Sequence, residues 1–219
     1  MRVPNVCVED FFDLPEEVIK ISDSVIYDGS NYGISPGLRS EPLESKFPLL
    51  CKYVTMKVLS QYYDLSKKIE VGCSTTTHFN KIPYSSGDGI IHTDDNTITA
   101  IVYLNKNPVP NSGTSVYKRK KIITDFRAQT LRIEIFKDDK QTEEWKTLRD
   151  EYNSNYDEIM RVNGSYNSAL IFNGYVPHKM DLDTEQEGER LTLIQFMYDI
   201  MAPESTNEKF EIIRPKYDL

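Results

Sequence analysis

GIIHTDDNTITAIVYLN, residues 89–105, puts one of the chain's three histidines two residues before an aspartate, inside a run with the composition of a β-strand. Side chains alternate faces along a strand, so His92 and Asp94 are expected on the same side. Two metal-ligating side chains facing one way among Ile90, Ile91, Ile98, Ala100 and Ile101 are costly to keep unless something binds between them.

The rest of the chain limits what that could be. With 219 residues, 39% of them hydrophobic and 11% aromatic, it can bury one substantial core or at most two small ones. Its apolar runs are strand-sized, too short to span a membrane. MRVPNVCVEDFF at the start lacks a charged leader with an apolar core, so no secretory signal is expected. Cys7, Cys51 and Cys73 are odd in number and far apart, which suits neither a disulfide framework nor a zinc knuckle and points to a reducing cytoplasm. The net charge of −8 counts against duplex nucleic acid as a partner, because backbone binding needs a basic surface. One basic run, Lys118 to Lys121, is expected to be a solvated strand end or loop.

Along the chain the hydrophobic period changes once. Residues 1–68 are expected to be a helical support. Asp13, Pro15 and Glu16 mark one helix start. Phe47, Leu50, Cys51, Val54, Val58 and Tyr62 form a three- and four-residue stripe suited to packing on a sheet. From residue 69 to 200, short segments rich in β-branched and aromatic residues alternate with turn clusters such as SSGDG and NPVPNSG. A charged insertion at about 138–160 has helical spacing through Trp145, Leu148, Tyr152 and Tyr156. Residues 201–219 are expected to be a C-terminal extension. The absence of βαβ alternation favours a single, mainly β domain with flanking helices, a sandwich or jelly roll.

His178 lies in IFNGYVPHKMD, beyond a second strand-like run. With His92 and Asp94 it completes a two-histidine, one-carboxylate set. Such a set occupies one face of an octahedron, leaves three positions open and suits non-heme Fe(II). Arg190 opens the strand RLTLIQFMYD, and Thr192 shares its face. A guanidinium fork beside a hydroxyl is well matched to a carboxylate. His78, among Thr76 and Asn80, is expected to be structural.

His92-x-Asp94, His178 and Arg190-x-Thr192, in this order, resemble the motif of the iron(II)/2-oxoglutarate-dependent dioxygenases, whose core is a double-stranded β-helix. TAIVYLNKNPVPNSGTSVY and NSALIFNGYVPHK are similar to the corresponding segments of the prolyl-hydroxylase-like branch. The resemblance implies Fe(II) on His92, Asp94 and His178, with 2-oxoglutarate as cosubstrate and O2 as oxidant. It further implies that Arg190, assisted by Thr192, pairs with the distal carboxylate of the cosubstrate. That branch often carries an aromatic just before His-x-Asp; here Ile90 and Ile91 stand there, so the role is expected to fall to Tyr103, to Tyr84 or elsewhere. The substrate is left among small molecules, amino acids and peptides. Residues 31–42, 107–113 and the insertion are expected to set specificity. The acidic loop MDLDTEQEGE, residues 180–189, is either a solvated lip or a lid. A non-catalytic jelly-roll module and a cupin-like metalloenzyme that does not use 2-oxoglutarate remain as alternatives.

Overall fold

The computed structural model describes residues 4–28, 37–65, 71–87, 89–120 and 142–201. Ten strands, three α-helices and a single 3-10 turn at Tyr84–Ser86 occur among them. In chain order these are β1 (Val6–Val8), α1 (Pro15–Ser24), β2 (Tyr27–Asp28), β3 (Leu38–Ser40), α2 (Pro48–Tyr62), β4 (Gly72–Pro83) and β5 (Ile98–Tyr103). They continue as β6 (Gly113–Arg119), α3 (Glu143–Asn153), β7 (Tyr156–Asn163), β8 (Ala169–Asn173), β9 (His178–Asp181) and β10 (Glu189–Met201). A seven-stranded antiparallel sheet has the order β1-β8-β5-β10-β4-β3-β2, and a three-stranded sheet has the order β7-β6-β9.

Alternation along the major sheet's central strands separates two cores. Ile98, Ala100 and Val102 of β5, Ala169 and Ile171 of β8, and Leu193 and Met197 of β10 face the helices. There they meet the α2 stripe, of which Cys51, Val54, Val58 and Tyr62 are buried and Phe47 and Leu50 partly so. The intervening residues Ile101, Tyr103, Leu170, Phe172 and Ile194 face the minor sheet, where they meet Met160 and Val162 of β7. The result is three layers, helices on sheet on sheet, which is the expected mainly β jelly-roll architecture with helical support. No helix among the described residues is long and apolar enough to cross a membrane.

Two details depart from the expectations. Residues 1–68 are not only helical, since β1 extends one edge of the major sheet and β2 and β3 the other. These strands have only two or three residues each, too few for a periodic signal. The insertion's helix ends at Asn153, and Tyr156 opens β7 rather than continuing a helical stripe. Its hydroxyl still lies 3.1 Å from that of Tyr152, so the ring packs where a helical residue would. The basic run is, as expected, the exposed end of β6, where Lys120 reaches the Asp157 carboxylate at 3.3 Å; Lys121, residues 31–36 of the expected specificity loop and residues 202–219 of the extension lie outside the described residues.

Asn167 fastens the chain's N-terminal segment to the sheets. Its side-chain oxygen accepts from Phe12 N–H and its side-chain NH2 donates to the Phe12 carbonyl, both at 2.9 Å. Its backbone carbonyl accepts from Phe11 N–H at 2.8 Å while its own φ is +59°, a conformation asparagine tolerates better than alanine. Asn167→Ala is expected to lower unfolding free energy by about 2–3 kcal/mol in denaturant titration, by stranding buried backbone groups and straining φ. Asn167→Gly, which relieves φ but not the lost amide, should recover only part of that loss.

Candidate metal centre

The segment carrying His92 joins β9 of the minor sheet at a single backbone bridge. His92 N–H donates to the His178 carbonyl and His178 N–H to the His92 carbonyl, both at 2.9 Å. Residues that exchange both hydrogen bonds in an antiparallel pair stand directly opposite and project to one side. The imidazole centroids are therefore only 4.4 Å apart. Each ring is then oriented by its own strand end: His92 Nδ1 lies 2.9 Å from the Ile90 carbonyl, and His178 Nδ1 lies 2.9 Å from the Val176 carbonyl. A carbonyl can only accept, so each Nδ1 carries a proton, and Nε2 is the ring atom that each histidine turns toward Asp94. Burial, with His92 alongside, lowers the pKa of His178, and Asp94 opposes the shift; His178 is thus kept neutral. Phe172 packs edge-on against His178, with ring centroids 4.6 Å apart, and shuts water from its far side.

Asp94 reaches the pair by a different route from the one alternation suggests. Only the residue-92 bridge is strand-like; the chain then turns before β5 begins at Ile98. The Asp94 N–H donates to the Gly174 carbonyl at 2.8 Å, tying the aspartate to the end of β8. A Cβ on Gly174 would collide with the Asn96 backbone carbonyl and stand 2.8 Å from its Oδ1, so the close approach of these two segments requires glycine. The Thr99 hydroxyl donates to Asp94 Oδ2 at 2.6 Å and accepts from the Asn96 side-chain NH2 at 3.1 Å. Asp94 Oδ1 then lies 3.7 Å from His92 Nε2, and Oδ2 3.5 Å from His178 Nε2. One ligand atom from each of the three residues falls within 4.8 Å of the others, a grouping that could hold a divalent ion. Nitrogen and oxygen donors without thiolate suit Fe(II) better than structural zinc.

The helical insertion braces this arrangement. Asn153, the last residue of α3, accepts from Ile91 N–H at 3.0 Å and donates to the Gly89 carbonyl at 3.3 Å. Ile91 packs with Trp145, Tyr152 and Tyr117, so the segment carrying His92 is held by packing as well as by hydrogen bonds.

Arg190, Thr192, Tyr103 and Tyr84 come together at the opposite end of the inner face. Thr192 pairs directly with Tyr103 across β10 and β5. The Arg190 guanidinium lies over the Tyr103 ring at 5.2 Å. Its Nη2 donates to the Thr114 hydroxyl at 3.3 Å, and the Tyr103 hydroxyl also bonds to that oxygen at 2.8 Å. Nε and Nη1 of Arg190 are buried without a hydrogen-bond partner, and the residue is only 5% exposed. Burial lowers its pKa, and the neighbouring Tyr103, Asp181 and Tyr84 oppose that shift. An arginine remains charged nonetheless, and a buried charge lacking a direct partner costs about 3–5 kcal/mol. That cost is offset where an anionic ligand fills the pocket. Tyr84 stands at the closed end with Ile82 and Leu182, near enough to Arg190 that the cation lowers its phenol pKa against the larger effect of burial. Gly164 allows the opposite wall to approach, because a Cβ there would lie 2.7 Å from the Tyr103 ring. The acidic loop is also at this end, where Asp183 N–H donates to the Ser112 hydroxyl at 3.2 Å.

Sequence patterns did not single out Thr99, Asn96, Gly174, Asn153 or Thr114. Thr99 and Tyr103 share a parity on β5, which was the one available clue. His78 is structural in position, with Nδ1 2.8 Å from the Ser40 carbonyl.

No protein-family model matches the sequence, and no curated protein does. Solved structures do. HygX from Streptomyces hygroscopicus with nickel and 2-oxoglutarate bound aligns over 89% of this chain and 82% of its own, with a TM-score of 0.56 at 11% identity. Its fold is that of the 2OG-Fe(II) oxygenases. A 2OG-Fe(II) oxygenase family oxidoreductase from Burkholderia pseudomallei aligns over 89% of this chain and 84% of its own (TM-score 0.53, 9% identity). A Pseudomonas putida prolyl-4-hydroxylase aligns over 89% and 91% (TM-score 0.50, 13% identity). The 2OG-Fe(II) oxygenase fold thus accounts for the two sheets and for the strand ends on which the candidate centre is built.

Removing the hydroxyl that steadies Asp94 should weaken the centre without dismantling it. Thr99→Val is expected to reduce Mn(II) or Ni(II) affinity roughly tenfold to a hundredfold by calorimetry. Thr99→Ser should stay within a few-fold of the parent protein.

Proposed function

We propose that this chain, as one domain over residues 1–219, is an Fe(II)- and 2-oxoglutarate-dependent dioxygenase. In this reading it hydroxylates a C–H bond of an amino acid, peptide or small molecule, with release of succinate and CO2. The observation that carries the proposal is the pairing of two features on one inner face. One is a two-histidine, one-carboxylate group; the other is a sealed guanidinium whose Nε and Nη1 lack partners. The nickel and 2-oxoglutarate in HygX, on the same fold, favour the same two ligands here.

His92 Nε2, Asp94 and His178 Nε2 would hold the iron. Arg190 would take the distal carboxylate of the oxo-acid, with Thr192, Tyr103 and Tyr84 lining the same pocket. Bound together, the ferrous ion and the oxo-acid supply the oxidative chemistry that side chains cannot. The chain's own contribution is positional and electrostatic. The Ile90 and Val176 carbonyls hold the Nδ1 protons, which keeps both Nε2 atoms available as donors. Thr99 occupies one oxygen of Asp94, which favours monodentate ligation through the other. Ile101, Leu170, Phe172 and Ile194 exclude water from the inner face and strengthen the electrostatic attraction of Arg190 for its anion.

Anaerobic loading with Fe(II) and 2-oxoglutarate, followed by exposure to O2, tests the reading through succinate formation. The parent protein should form succinate, and His92→Ala should lose both metal binding and turnover. Arg190→Met should keep Mn(II) affinity while raising KM for 2-oxoglutarate about a hundredfold. Metal binding without succinate would instead favour a binding module. Metal-dependent activity indifferent to Arg190→Met would favour a cupin-like enzyme that does not use the oxo-acid.

A further inference from the structure

Thr114 links the two sheets through its side chain. It lies on β6, the central strand of the minor sheet, opposite Val162 of β7 and Met180 of β9. Its side chain points toward the major sheet, where two donors reach its hydroxyl oxygen. The Tyr103 hydroxyl of β5 is one, at 2.8 Å, and Arg190 Nη2 of β10 is the other, at 3.3 Å. All three residues are at most 5% exposed, so these bonds are made away from bulk water.

A threonine hydroxyl has two lone pairs and one proton. At Thr114 both lone pairs are taken by the two donors, and the proton has no acceptor among the described residues. Tyr103 donates in its bond, and burial, which raises the phenol pKa, keeps that proton in place. The Thr114 proton is therefore a third unmet donor, beside Nε and Nη1 of Arg190. A guanidinium offers a carboxylate two bidentate edges, Nε with Nη2 and Nη1 with Nη2, and both include Nη2. Whichever edge an anion takes, it lies next to the atom that touches Thr114. Three spare donors favour an ionised carboxylate over its carboxamide, whose N–H groups would face other donors.

We propose that Thr114 donates its proton to the carboxylate held by Arg190, and that Tyr103 acts on that carboxylate only through Thr114. The identity of the acid, 2-oxoglutarate, rests on the oxygenase reading. Spacing agrees with it: Val116 of β6 pairs directly with His178, and Thr114 stands two residues, about 7 Å, along the strand from that level. That is close to the reach of a short diacid chelating at the metal centre. Tyr103 is then a positioning residue. Its ring lies under the guanidinium at 5.2 Å, and its hydroxyl fixes the Thr114 oxygen so that the threonine proton turns to the ligand. The direct contact expected of Tyr103 passes to Thr114.

Calorimetry on the Mn(II)-loaded protein tests this by comparing 2-oxoglutarate with 2-oxobutanoate, an oxo-acid that chelates in the same way but has no distal carboxylate. Thr114→Val should weaken 2-oxoglutarate binding about tenfold to a hundredfold, with the affinities for 2-oxobutanoate and Mn(II) unchanged. Thr114→Ser should return to within a few-fold of the parent protein, and Thr114→Ala takes the place of the valine variant if that one does not fold. Tyr103→Phe should cost less than Thr114→Val, and the double variant no more than Thr114→Val alone, because the phenol acts through the threonine. Three results would each overturn the proposal: 2-oxoglutarate binding unaffected by Thr114→Val, an equal loss for both oxo-acids, or a Tyr103→Phe loss that adds to that of Thr114→Val. A parent protein that binds the two oxo-acids equally, or neither, would count against the oxygenase reading instead. Thr114 is then judged by the rise in Tm that glutarate gives the metal-free protein, where no rise, or the same rise in Thr114→Val, overturns its role.

Discussion

The candidate centre depends first on the reciprocal backbone hydrogen bonds between His92 and His178. Neither residue needs a long regular strand around it; what matters is that each stands opposite the other, so that both imidazoles leave the backbone on the same side. Every other feature of the centre refines that placement. The Ile90 and Val176 carbonyls choose the tautomers, and Phe172 closes one flank. Asn153 and the α3 cluster keep the His92 segment from peeling away from β9, which it joins by only one bridge. An isolated bridge would fray without such support, since its hydrogen bonds lack the cooperative neighbours of a full ladder.

The helical insertion therefore has a part in the centre that its charged surface does not suggest. Its exposed side carries Lys146, Glu143 and Asp150 in short-range ion pairs worth little to stability. Its buried side, Trp145 and Tyr152, sits on Ile91 and Tyr117. The same helix that looks like a solvated surface insertion thus holds one of the two histidines in register. Asp94 is fixed from the other direction, by β8 through Gly174 and by β5 through Thr99. Three separate elements consequently meet around the cluster, and each contributes one constraint that the others cannot replace.

What could be seen in the sequence follows from how local each signal is. The α2 stripe and the strands β5, β8 and β10 were legible because one face or both faces of each is buried over five or more residues. β7 was not, because its outward residues are charged and only alternate positions face the sheet. The His92-x-Asp94 pattern was legible, but its geometric reason was not. Alternation along a strand suggested it, whereas a turn clamped by Gly174 produces it. Arg190 and Thr192 were legible as a pair because they lie two apart on one strand, and the same parity argument extends to Tyr103 only through the β5–β10 register. Thr99 and Asn153 were beyond reach for one shared reason: each acts on a residue brought near by tertiary pairing, and no spacing within the sequence encodes that.

Arg190 sets the second constraint on the site. The residue is only 5% exposed while its Nε and Nη1 lack hydrogen-bond partners, and Ile82, which pairs with it across β4 and β10, packs with Tyr84 and Leu182. A guanidinium so placed is costly to keep without an anion beside it, and the low-dielectric surroundings that create the cost also strengthen its attraction for one. The burial that makes Arg190 unfavourable to the fold is therefore the same burial that would make it effective toward a carboxylate.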